Sequence, residues 1–345
     1  MSGHPASGWR EQLAAAAADQ GFQRVRWLRS GELPPAIRAH PALAALGDGL
    51  YLLAALPCYR DEPDDLSAPG DPHALVAPFA RRNYYREAVV RLKRVTAGSP
   101  AGGGAGPTMD GGRTAPRIFS NSRLPEKPLA AACGLGFLGS NSLVIAPQLG
   151  SAFLIAGVFL PASLVPEAAL RQASDPPLEH GLEAGGRCGD CRACIEACPV
   201  GAITAPGVVD TERCLPSLST RLAPWPPAVR AAWGFRLYGC QSCQDACPHN
   251  RSLRCQTPTQ RGEIGPSVPL RRLLACDEAG VQEMFRGTAL GRGWIPPAAL
   301  LRNGLLAAGR RGDPAVLEMV RARRQDPVRA VREAAAWAEE ALGRG

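Results

Sequence analysis

Eight of the twelve cysteines fall between Cys188 and Pro248. The first run, Cys188-Gly-Asp-Cys191-Arg-Ala-Cys194-Ile-Glu-Ala-Cys198-Pro199, has the spacing C-x2-C-x2-C-x3-C-P. The second, Cys240-Gln-Ser-Cys243-Gln-Asp-Ala-Cys247-Pro248, follows after a lone Cys214. Thiolates at this density are soft ligands suited to iron and sulfide. Each run closes on a proline, which cannot continue a helix past the last ligand.

The first run matches the pattern of bacterial two-cluster ferredoxins, where the fourth Cys ligates the other cluster. Two cubane clusters need eight thiolates, and eight are present. The pattern assigns Cys188, Cys191, Cys194 and Cys247 to one [4Fe-4S] cluster, and Cys198, Cys214, Cys240 and Cys243 to the other. Zinc is a poorer match, because structural zinc sites close with four ligands, usually as two separated pairs. Disulfides suit small secreted domains, whereas this chain has 345 residues and no export signal at its start. Clusters alone imply only that electrons pass through the protein.

The length allows two or three domains with a sizeable core. No apolar run approaches the roughly 18 residues of a membrane span. Residues 150–165 come nearest, and Pro161 and Pro166 bound them, so a buried strand is expected there. The opening MSGHPASGWREQL has neither a signal-peptide core nor an Arg-Arg pair. Together these predict a cytoplasmic protein with no membrane association. The formal charge is +8, and sixteen Arg with no Lys stand against ten acids from Arg251 onward. Arg forks suit phosphate, so this surplus fits a nucleic-acid partner; a solvated helical face fits it equally.

The elements that must position these groups can be read in order. Residues 9–21 have the pattern of an Ala-rich helix ending at Gly21. Residues 51–57 read as a buried strand and 58–74 as a loop, and His73–Val95 carries a helical pattern. Residues 98–115 are too Gly-rich to order by themselves, and read as a flexible insertion. Residues 117–160 read as a short helix, a Gly-rich turn and two apolar runs. Gly134, Gly136 and Gly139 allow a close backbone approach. Because they follow a helix, they do not make a dinucleotide-binding turn.

The segment Pro125-Glu-Lys-Pro-Leu-Ala130, the turn Gly134-Leu-Gly-Phe-Leu-Gly-Ser-Asn-Ser142 and the eight-Cys block occur in that order. Cys214 follows Val209-Asp-Thr-Glu-Arg213, and Arg236-Leu-Tyr-Gly leads into Cys240. In these motifs the chain resembles the epoxyqueuosine reductase family over most of residues 10–255. The resemblance implies an α+β fold. A nitroreductase-like cobalamin and catalytic domain would span 1–175, a ferredoxin-like double-cluster domain 176–260, and a helical HEAT-like repeat region 261–345. It also implies base-off cobalamin beside the two clusters, and electrons from a carrier such as ferredoxin or flavodoxin. The implied reaction is the reduction of epoxyqueuosine to queuosine in tRNA by a monomer.

Three departures from the family stand out. Its proton-donating Asp lies six residues before Glu126, where this chain has Ser120 followed by Asn121. Its Asp-Tyr-His segment is Asn83-Tyr84-Tyr85 here, so Tyr85 brings a phenol in place of an imidazole. The Lys of its Gly-Lys-Asn turn is Ser140. The resemblance therefore puts Ser120, Asn121 and Tyr85 forward as catalytic candidates, with Ser120 and Asn121 able to hold a relaying water and Tyr85 able to give a proton. It implies cobalamin contacts from Arg38, Ser120, Gly134, Gly136, Gly139, Asn141, Ser142, Ser217 and Gln241. Cys58 and Cys133 read as core thiols, and His249 as a packing residue near a cluster.

Residues 296–342 show helix pairs in weak repeat, with Asp313-Pro and Asp326-Pro as starters. In the family a similar segment contacts tRNA, which makes Arg321, Arg323, Arg324, Arg329 and Arg332 phosphate-binding candidates. Two other readings remain open on the sequence alone: a dehalogenase-like cobalamin reductase of a small electrophile, and a non-catalytic iron–sulfur protein that carries electrons or binds tRNA.

Overall fold

A computed structural model describes residues 8–58, 65–97, 115–223, 225–251 and 263–343. In chain order these carry α1 (Trp9–Asp19), β1 (Gln23–Arg29), β2 (Gly49–Pro57), β3 (His73–Val76), α2 (Tyr84–Ala97), β4 (Arg117–Phe119) and α3 (Glu126–Ala132). Then follow β5 (Phe137–Leu138), β6 (Val144–Ile145), β7 (Phe153–Pro161), α4 (Ala193–Glu196), β8 (Ile203–Ala205), β9 (Val208–Val209) and α5 (Leu215–Leu218). The last third holds α6 (Pro227–Trp233), β10 (Arg236–Tyr238), α7 (Ser242–Asp245), β11 (Ser267–Pro269), α8 (Leu270–Ala275) and α9 (Glu278–Met284). It closes with α10 (Pro297–Arg311), α11 (Leu317–Ala322) and α12 (Arg329–Leu342). The mixed helix and sheet content agrees with the α+β expectation.

Two compact units divide the chain, one of Met1–Cys58, Tyr84–Cys191 and Pro248–Leu253, the other of Tyr59–Asn83, Arg192–Cys247 and Arg254–Gly345. The first unit is built on the antiparallel sheet β1-β2-β7-β4. β2 is buried along its length as far as Leu56, because Leu-Tyr-Leu-Leu-Ala-Ala-Leu presents apolar groups to both faces. Pro57 ends that strand where its missing N–H breaks the ladder. β7 pairs with β2 from Gly49–Pro161 to Pro57–Phe153, so the run expected to be a buried strand is the other central strand. α1 ends at Asp19, and Gly21 turns out of it at φ +81.

In the second unit, β3 pairs in parallel with β10 and antiparallel with β11. The long helix α10 lies on β10 and packs against α8, α9 and α12. The core there joins Val76, Trp225, Trp233, Leu237, Leu270, Leu301, Leu305 and Val331.

One sequence reading is corrected by this unit. His73–Val76 is a strand, and the helix expected from His73 begins only at Tyr84. Pro78 cannot donate to a helical turn ahead of it, and β3 gains two hydrogen-bonded neighbours that no local pattern announces. Nearly all of the Gly-rich stretch, 98–114, lies outside the described residues, as does 59–64 of the expected loop. Among the described residues, no helix is long and apolar enough to cross a membrane.

Candidate active site and cluster ligands

In the first unit the candidate residues gather around two turns. β4 leads to Ser120, whose hydroxyl donates to the Ile155 carbonyl of β7 at 2.9 Å. Asn121 follows in the left-handed region at φ 55, with an exposed side chain. Its backbone N–H donates to Glu126 Oε2 at 2.9 Å, and that of Ser122 to Oε1 at 2.7 Å. One carboxylate at the start of α3 thus gathers two consecutive amides and holds the strained residue. Sequence reading used Glu126 only as a motif marker; its clamp role has no local signature.

The second turn follows α3. Gly134 takes φ +70, and a Cβ there would come within 2.2 Å of the Pro176 carbonyl oxygen. At Gly136 a Cβ would meet Val144 Cγ1 at 2.6 Å, and at Gly139 Ile145 Cδ1 at 2.5 Å. The close approach expected of these glycines is to the chain's own backbone and to β6, which accounts for all three as packing requirements. Lys127 Nζ donates to the Ser142 carbonyl at 2.8 Å, which ties α3 to the turn. Ser142 itself sits at φ 61.

Asn141 carries the observation most relevant to a ligand. Its Oδ1 accepts from Leu143 N–H at 3.1 Å, which fixes the amide orientation. Its Nδ2 is buried and has no hydrogen-bond partner among the described residues. A buried donor without an acceptor costs about 1–3 kcal/mol, so the turn suits a polar cofactor that supplies one. By this test the residues present fit cobalamin.

The other candidates are less converged. Arg38, exposed, donates to the Leu33 carbonyl at 3.1 Å from a one-turn helix. Tyr85 is half-buried in the first turn of α2. Ser217 and Gln241 belong to the second unit; Ser217 Oγ accepts from Arg221 at 3.1 Å, and Gln241 caps α7 without a side-chain bond. Cys58 and Cys133 are core thiols as expected. Burial pushes the Cys133 thiol up to about 12. The His249 ring packs edge-on against Phe137 at 5.4 Å.

The cluster cysteines come from both units. Cys188 and Cys191 lie in the first, where Cys188 Sγ accepts the Ser140 N–H at 3.4 Å. The other six lie in the second, where α4 packs on α7. There Cys198 Sγ accepts Ala202 N–H at 3.1 Å, and Cys214 caps the start of α5. Burial, then the negative charges of Cys240, Cys194, Cys214 and Cys198, push the Cys243 thiol up to about 12. Among the described residues no three His, Cys, Asp or Glu groups converge on a single ion. A cubane does not require it, since each thiolate binds its own iron corner.

The five arginines proposed for phosphate are already engaged. Arg321 pairs with Glu318 at 2.7 Å and Glu339 at 3.1 Å, Arg324 with Glu339 at 3.0 Å, and Arg329 with Glu333 at 2.7 Å. Arg323 pairs with Asp326 at 3.1 Å, and Arg332 donates to the Asp326 and Pro327 carbonyls at 2.8 and 2.9 Å.

Two closely spaced cysteine runs, with N–H donors on Cys188 and Cys198, mark an iron–sulfur electron carrier of mixed α+β fold. Residues 187–250 match the family of 4Fe-4S double cluster binding domains. The chain is 32% identical over 279 residues to an epoxyqueuosine reductase of Alicycliphilus denitrificans, covering 77% of this chain and 71% of the relative. It is 30% identical to the Bacillus subtilis enzyme of that name, covering 66% and 55%, and 34% identical to the Escherichia coli one, covering 53% and 45%. The chain thus spans about half the length of the latter two relatives. The chain belongs to the epoxyqueuosine reductase family, and is an oxidoreductase with two [4Fe-4S] clusters and cobalamin as cofactors. Solved structures agree in fold. A Bacillus subtilis epoxyqueuosine reductase with its catalytic aspartate loop swung out has a TM-score of 0.76 at 23% identity, over 96% of this chain and 90% of that one. An epoxyqueuosine reductase with an epoxyqueuosine-modified tRNA-Tyr stem loop gives 0.75 at 22%, over 97% and 90%.

Proposed function

We propose that this chain reduces the epoxide of epoxyqueuosine in tRNA to the alkene of queuosine. What carries the reading is the family membership together with the match of residues 187–250 to the double-cluster binding domain. The reaction consumes two electrons and two protons, and the epoxide oxygen leaves as water. Cobalamin, when bound, supplies the low-potential reduction of the C–O bond. The chain's residues hold the cofactors and manage the proton. Cys188, Cys191, Cys194 and Cys247 hold one cluster; Cys198, Cys214, Cys240 and Cys243 hold the other. Asn141 gives its unpartnered Nδ2–H to cobalamin, with Arg38 and Ser142 as further contacts.

The proton has a less direct route than in relatives with the Asp. Ser120 already spends its hydroxyl proton on Ile155, so its oxygen serves as an acceptor. A water donating to Ser120 and held by the exposed amide of Asn121 is then the proton source, with Tyr85 as the other donor the chain offers. In this division of labour, residues 1–175 bind cobalamin, 176–260 conduct electrons and 261–345 form the helical region.

Electrons enter from a ferredoxin- or flavodoxin-like carrier in the cytoplasm, to a monomer. A cavity of about 460 Å³, lined in part by Pro199, Val200, Arg213 and Leu218, supports entry beside Cys198 and Cys214. The test is a single-turnover assay with anaerobically reconstituted protein, cobalamin, a reductant and epoxyqueuosine tRNA. Queuosine in the digested product is the expected result. Unchanged epoxyqueuosine, from protein shown by absorbance to hold clusters and cobalamin, overturns the reading.

A further inference from the structure

Arg302, on α10, is 2% exposed and is an unusual group to bury. Burial lowers its pKa to about 9. Its partners are carbonyls and an amide, with no carboxylate among them. Nη1 donates to the Arg221 carbonyl at 2.8 Å and to that of Ala223 at 3.4 Å. Nη2 donates to the Leu218 and Ser219 carbonyls, each at 3.2 Å. Nε donates to Asn303 Oδ1 at 2.8 Å, and the guanidinium lies 3.9 Å from the ring centre of Trp225. Asn303, with no exposed surface, then donates through Nδ2 to Ser219 O at 3.0 Å and Leu237 O at 2.9 Å.

The positions of these acceptors give the pair its meaning. Leu218 ends α5, the turn that Cys214 begins. Leu237 lies in β10, the strand that leads into Cys240. Desolvating an arginine is costly, and a rigid fork returns that cost only where several acceptors must be held in one geometry. Asn303 bonds both segments through a single amide nitrogen.

We infer that Arg302 and Asn303 are positioning residues for the cluster bound by Cys198, Cys214, Cys240 and Cys243, setting the spacing of Cys214 and Cys240 from the helical region. The inference rests on the ligand assignment proposed above. It gives α10 a part in holding the cluster ligands, beyond any part it has in binding RNA.

The test uses the full chain, reconstituted anaerobically, in wild-type, Asn303→Ala and Arg302→Lys forms. Iron is counted, and both clusters are followed by electron paramagnetic resonance in a redox titration. Wild type holding fewer than eight irons would count against the ligand assignment itself. With eight in wild type, the variants are expected to lose about four, or to show one cluster with an altered line shape and potential while the other is unchanged. Folded variants that keep both clusters with wild-type spectra and potentials, merely melting earlier, overturn the inference. So does equal damage to both clusters in a folded chain. Should both variants fail to fold, wild type decides by hydrogen exchange with and without clusters. By reciprocal coupling, cluster removal should speed exchange in 215–223 and 236–238 and along α10. Unchanged exchange there overturns the inference.

Discussion

Ser120 donates to a backbone carbonyl where the family resemblance places an acid, and under the proposed function this would limit how fast a proton reaches the breaking C–O bond. General acids contribute about 10²–10⁴-fold. Ser120→Asp is therefore expected to raise kcat by about tenfold or more with KM little changed, because the acid acts in the transition state. Single-turnover rates at saturating tRNA check it; a slower variant with intact cobalamin would point to Tyr85 or another donor. Asn141 makes a separate prediction. If its Nδ2 finds its acceptor on cobalamin, Asn141→Leu should weaken cobalamin affinity by about tenfold, the equivalent of one hydrogen bond from a buried amide. Equilibrium dialysis measures this without turnover, and unchanged affinity would assign Asn141 to the turn alone. Cys133 supplies a control on the core. With its thiol pushed up to about 12, iodoacetamide at pH 8 should label it only after denaturation. Its raised folded value also means that its share of stability is complete below the unfolded thiol pKa of about 8.5 and is lost as pH rises towards 12.

At the scale of elements, each cysteine run is built around a short helix, with Cys194 in α4 and Cys243 in α7, and the lone Cys214 stands just before α5. Reconstituted protein should hold about eight irons and eight sulfides, and Cys214→Ala should damage one cluster and leave the other. One tightly bound zinc with no iron would sink the assignment. The runs were legible in the sequence because ligand spacing is local, and β2 and β7 were legible because each is one unbroken apolar run. Arg302, Asn303 and Glu126 were not. Their partners lie 66–84 residues away for the first two, or are backbone amides with no sequence signature for the third. His73–Val76 failed for a related reason. Its residues suit a helix face equally well, and only pairing with β10 and β11, far along the chain, makes it a strand. The glycines of 134–139 were found correctly as close-approach points, but the approaching group is the protein itself.

For the whole molecule, the proposed tRNA partner raises the question of where a basic chain would meet it. The arginine surplus in the last quarter points to α11, α12 and the turn between them, yet the carboxylates of Glu318, Glu333 and Glu339 on those helices, and of Asp326 between them, answer most of the charge. An arginine held in ion pairs on its own helices loses them on turning to phosphate, so it gains little from RNA. Arg271 and Arg272 on α8 and Arg310 on α10 are exposed, and make no ion pair among the described residues. These three are expected to contribute most to the salt dependence of tRNA binding in this region. Each phosphate contact on duplex-like RNA adds about −0.9 to the slope of log affinity against log salt. Replacing Arg271, Arg272 and Arg310 by Ser should flatten that slope by up to about 2.7, while replacing Arg321, Arg324 and Arg329 should change it by much less than one contact. Fluorescence anisotropy of a labelled anticodon stem loop, titrated across salt concentrations, separates the two. A larger effect from the second triple variant would mean that the ion pairs of α11 and α12 open when RNA binds, and that the tail is the contact surface after all.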